Sequence, residues 1–136
     1  MRGALFTGCL LLLGCATVEP LRMTSAAEGR PVEVYDCALR EVSSLNCILE
    51  NANRESGFFK ATRSYVPAFP SPYWPGTLVD ELTVLITEDP GSKRPMLQVS
   101  AASGRNVGRN ARLVQTSPEV TAHAKKVIAT CGRPGT

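Results

Sequence analysis

The 136-residue chain is poor in the groups that do chemistry: one histidine, one tryptophan, and 6% aromatic residues in all. A single imidazole cannot build a multi-histidine zinc centre, and cysteines 9, 15, 37, 47 and 131 include no closely spaced pair that would complete one. No metal site and no cofactor is therefore expected. Gly104 and Gly108 flank arginines instead of opening a strand-to-helix turn, which excludes a phosphate-cradling loop. His123 stands beside Lys125 and Lys126 with no base and orienting acid at a spacing that would make a nucleophile's trio. Asp80-Glu81 and Glu88-Asp89 are adjacent acids, but neighbours along a strand point to opposite faces, so neither forms a glycosidase-like couple. No catalytic residue is predicted, and the chain reads as non-enzymatic.

Long apolar runs are missing too. The longest, Ala4–Leu13, covers about ten residues, half of the roughly 20 that a membrane-spanning helix needs. Behind the charged start Met1-Arg2, such a run reads as a targeting segment. It ends in Leu12-Leu13-Gly14-Cys15, which resembles the lipobox of bacterial lipoproteins. The resemblance implies that residues 1–14 are a signal peptide and that Cys15 becomes the acylated first residue. Ala16 follows in place of the aspartate that retains lipoproteins at the inner membrane. The implied location is the cell envelope, with acyl chains holding the protein to the outer membrane on its periplasmic side. Nucleic acid is then excluded as a partner.

About 120 residues remain, enough for one domain. The formal net charge is only +3, but Arg105, Arg109, Arg112, Lys125, Lys126 and Arg133 face a single acid, Glu119, from Gly104 onward. Residues 15–30 read as the lipidated start and a flexible tether, and 31–136 as one domain.

Within that domain, Val34, Ala38, Val42 and Leu45 recur at helical spacing behind Pro31, and Asn46 suits a left-handed stop. Residues 47–64 read as a hairpin turning at 51–57, and 82–102 as a second, turning at Asp89-Pro90-Gly91. Gly104–Thr116 reads as a polar loop. Ser117-Pro118-Glu119 then starts a helix whose apolar stripe is Val120, Ala124, Val127, Ile128 and Cys131. The predicted fold is α+β: a two-layer sandwich in the order α-β-β-β-β-α, with two helices on one face of a four-stranded antiparallel sheet. This order is similar to the helix-grip domains of BamC-like outer-membrane assembly lipoproteins.

Three cysteines remain in an oxidising compartment. Helical rise separates Cys37 from Cys47 by more than the roughly 7 Å that a bridge tolerates, so an internal bridge involves Cys131, and Cys37 is its favoured partner. The other reading leaves all three as buried thiols.

Two stretches are candidate contact surfaces. "YVPAFPSPYWPGT" sets four prolines among Tyr65, Phe69, Tyr73 and Trp74 and cannot form a helix or central strand. Such a long loop either docks a partner through its aromatics or folds back over the sheet. "GRNVGRNARL" offers Arg105, Arg109 and Arg112 to acidic headgroups or an acidic partner, or is a solvated loop. The expected function is a lipid-anchored interaction or assembly module with an envelope protein partner; the alternative is an envelope lipoprotein that binds a small ligand or lipid.

Overall fold

A computed structural model describes residues 18–65, 77–107 and 110–132. The fold is α+β, in the order β1 (Leu21–Ala26), α1 (Pro31–Ser43), β2 (Ile48–Asn53), β3 (Phe58–Tyr65), β4 (Thr77–Glu88), β5 (Pro95–Val107), β6 (Asn110–Val114) and α2 (Pro118–Cys131). All strands belong to one antiparallel sheet, ordered β1-β5-β4-β3-β2, with β6 also on β5.

The sheet therefore has six strands where four were expected. Both additions lie along the same side of β5. Leu21–Ala26 pairs with Met96–Ala101, and Asn110–Val114 pairs with Ser103–Val107, so two short strands share one long neighbour end to end. Residues 15–30 are thus not all tether: the folded part reaches back to Leu21, ten residues before the expected boundary at Pro31. β1 is concealed in the sequence because its alternation is weak: Leu21 and Met23 are half-buried beside the exposed Arg22 and Thr24, but the small Ser25 and Ala26 that follow are both half-buried. β6 is concealed by its arginine, and a strand at a sheet edge needs only one partner to satisfy its backbone.

Alternation is clearest in the three central strands. Phe59 and Ala61 of β3, Leu82, Val84 and Ile86 of β4, and Leu97, Val99 and Ala101 of β5 point to one face, where both helices cover them. Helix α1 contributes Val34, Tyr35, Ala38 and Val42, and α2 contributes Val120, Ala124, Val127 and Cys131. The Tyr35 ring meets Phe59 edge-on at 5.5 Å between centroids. Truncating Phe59, which is fully buried, removes about 3 to 5 kcal/mol of such contact.

Element ends follow the local chemistry. Pro31 opens α1, and the backbone N–H of Arg30 donates to Glu33 Oε2 at 2.9 Å. Asn46 stops the segment with φ of 55°. Gly57, at φ of 67°, closes the β2–β3 turn where an added Cβ would lie 2.7 Å from the Ile86 carbonyl oxygen. Asp89 shapes the β4–β5 turn by accepting from Ser92 N–H at 2.8 Å.

Cys37 and Cys131 form a disulfide with Cα atoms 5.8 Å apart, joining α1 to the end of α2 across 94 residues. Cys47 keeps a half-buried free thiol, and burial pushes its pKa up. No helix among the described residues is long and apolar enough to cross a membrane.

Candidate functional site

Register gathers part of the expected contact surface. Tyr65 of β3 faces Leu78 of β4, Leu78 faces Arg105 of β5, and Arg105 faces Arg112 of β6. Residues far apart in sequence thus form one transverse row at the end of the sheet. Tyr65 is half-buried, Arg105 is half-buried and engaged, and Arg112 is exposed. Phe69, Tyr73, Trp74 and Arg109 lie outside the described residues, as does Cys15.

Two residues inward, on the same face, the row Arg63, Asp80, Ser103 carries a buried polar network that the sequence pattern does not announce. Asp80, only 4% exposed, accepts from Ser103 Oγ at 2.6 Å through Oδ1. Its Oδ2 accepts from Ser117 Oγ at 2.9 Å and from Arg63 Nη2 at 3.1 Å. The Ser117 N–H donates to Ser103 Oγ at 2.8 Å, and the N–H of Val120 donates to Ser117 Oγ at 3.2 Å. Ser117 is thereby the N-cap of α2, as its sequence position suggested, and also the anchor of that helix on β4 and β5. Arg63 Nη2 also bonds Glu119 in the first turn of α2.

The Arg63 guanidinium carbon lies 5.2 Å from the centre of the Tyr65 ring, close enough for a cation–π contact. Its Nε is buried without a partner. Hydrogen bonding to Glu119 is the main force holding Arg63 charged, and burial is the main force raising the Tyr65 pKa. His123 is depressed, first by burial and then by the positive field of Arg63.

Chemically, this arrangement fixes a helix start. Both serine hydroxyl protons are committed to one carboxylate, and that carboxylate also neutralises a cation. Asp80 and Glu81 do point apart, as expected: Asp80 lies under the helices, while Glu81 Oε2 meets Lys60 Nζ at 2.7 Å on the opposite face. Among the described residues, no group of three or more His, Cys, Asp or Glu could hold a metal ion.

That opposite face has no helix over it. Between β3 and β6 it forms a depression of about 360 Å³ bordered by Glu50, Lys60, Thr62, Glu81, Gly104 and Leu113. Thr62 Oγ1 donates to Glu50 Oε1 at 2.9 Å, and Glu50 also lies 3.7 Å from Lys60, so its polar groups partner one another. A second depression, about 590 Å³ and wide open, adjoins the start of β1 and includes Val18, Pro20, Arg22 and Gln115.

No protein-family model matches the chain, and no curated protein does. Among solved structures, it is similar to a DUF4468 family protein from Bacteroides ovatus, at 6% identity and a TM-score of 0.35, covering 82% of this chain and 78% of that one.

Proposed function

We propose that the protein is a lipid-anchored, non-enzymatic interaction module on the periplasmic face of the outer membrane. The observation that carries this reading is the run Leu12-Leu13-Gly14-Cys15 behind a short charged and apolar start. A disulfide spanning 94 residues supports export, because such bonds persist in oxidising compartments. The surface offered to an envelope partner is the sheet end bearing Tyr65 and Arg105, where the chain runs into the proline-aromatic segment. The small-ligand reading asks for a cavity between sheet and helices, whereas both depressions described above lie on the outside.

Mass spectrometry of the protein from its native host tests the anchor. An acylated Cys15 at the mature amino terminus is the expected result, and Cys15→Ser is expected to move the protein from the membrane to the soluble fraction. An unmodified, freely diffusing species overturns it. A benzophenone side chain at position 65, crosslinked in intact cells, tests the partner: a discrete protein adduct supports the module, and adducts with lipid alone count against it.

A further inference from the structure

We infer that the outer edge formed end to end by β1 and β6 rests on the anionic surface of the membrane that holds the anchor. The inference builds on the proposed acylation of Cys15. With β1 beginning at Leu21, only Ala16–Pro20 separates the acylated residue from the sheet. Six peptide steps span at most about 21 Å, and the three to Val18 about 10 Å. The edge that receives the chain is therefore kept within about 21 Å of the acylated residue.

The side chains at this junction suit that position. Val18 is 45% exposed and Leu113 is 54% exposed; among the described residues the other exposed large apolar side chains, Ile48 and Leu49, lie on β2 at the far edge, away from the tether. Arg22 and Arg112 are exposed and make no ion pair among the described residues. Arg22 lies opposite Ser100 on the helix-free face, whereas Arg112 lies opposite Arg105 on the other face. The two cations thus flank the edge from both sides, and Pro20 borders the depression that Arg22 also lines. Glu19 is the acid in this stretch. Separate guanidinium groups on either side of exposed apolar side chains fit phosphate headgroups above an acyl boundary. Arg112 then belongs to the lipid contact, leaving Tyr65 and Arg105 to the partner.

The test uses the acylated full chain in vesicles of phosphatidylglycerol and phosphatidylethanolamine, with a benzophenone side chain at position 113 or, on the far edge of the sheet, at position 55 in the β2–β3 turn. Lipid adducts are expected at 113 and not at 55. Combining Arg22→Gln with Arg112→Gln is expected to lower the yield at 113 by roughly fivefold per arginine. In phosphatidylcholine vesicles the same pair is expected to change nothing. Equal yields at 113 and 55, with acyl chains present on Cys15, overturn the edge contact and leave the anchor standing. Absence of the acyl chains overturns both.

Discussion

The two ends of α2 are fastened by different chemistry. At its start, Ser117 and Glu119 are held by hydrogen bonds to Asp80, Ser103 and Arg63. At its end, Cys131 is bonded covalently to α1, and Gly132 lies against β1, where an added Cβ would come within 2.7 Å of Ser25 Oγ. The first fastening acts in the folded state and depends on charge. The second acts by restricting the unfolded chain and depends on redox conditions. A helix of 14 residues is marginal alone, so both matter to whether α2 stays on the sheet.

Reduction of Cys37–Cys131, or the pair Cys37→Ala with Cys131→Ala, is expected to cost about 4 kcal/mol, read as a shift in the urea unfolding midpoint. Asp80→Ala is expected to cost about 3 kcal/mol by the same measurement, because it strands two serine hydroxyls and weakens the hold on a half-buried arginine. If the two losses add, the ends are independent; a large coupling would show that α2 detaches as one unit. Ser117→Ala is expected to cost about 1 to 2 kcal/mol, as loss of a cap that also bonds the sheet.

The smallest effect concerns pH. The folded chain binds a proton on His123 less readily than the unfolded chain, because burial and Arg63 outweigh Glu119 and Asp80, with Lys126 acting on the side of Arg63. Its contribution is therefore neutral above the ordinary histidine range and destabilising as pH falls through that range. His123→Gln is expected to narrow the difference in melting temperature between pH 8 and pH 5. An unchanged difference would assign the pH dependence to other groups.

Much of the covalent fastening was readable from sequence, since helical rise separates Cys37 from Cys47 and the apolar stripe of α2 ends on Cys131. The polar fastening was harder to see. Ser103 and Ser117 look like ordinary loop and cap residues until β5 and α2 are placed together. A signal was nevertheless present, because Asp80 continues the buried alternation of Leu82, Val84 and Ile86, and Arg63 continues that of Phe59 and Ala61. An acid and a base in phase with core positions on neighbouring strands call for each other. The edge strands carried no comparable signal: Leu21 and Met23 are too few to establish a period, and β6 has five residues. The sequence marks Tyr65, Arg105 and Arg112 one by one, and only the ladder register puts them in a line.

The placement of β1 beside β5 also governs how the molecule matures. The first strand to be made has no hydrogen-bonding companion until the turn after β4 and Met96–Ala101 of β5 have followed. The thiol on α1 waits longer still, 94 residues, for its mate near the far terminus. Contacts this distant along the chain make assembly slow and late. A truncation after α1 or β3 would thus leave Leu21–Ala26 without the strand it pairs with, a ready substrate for proteolysis.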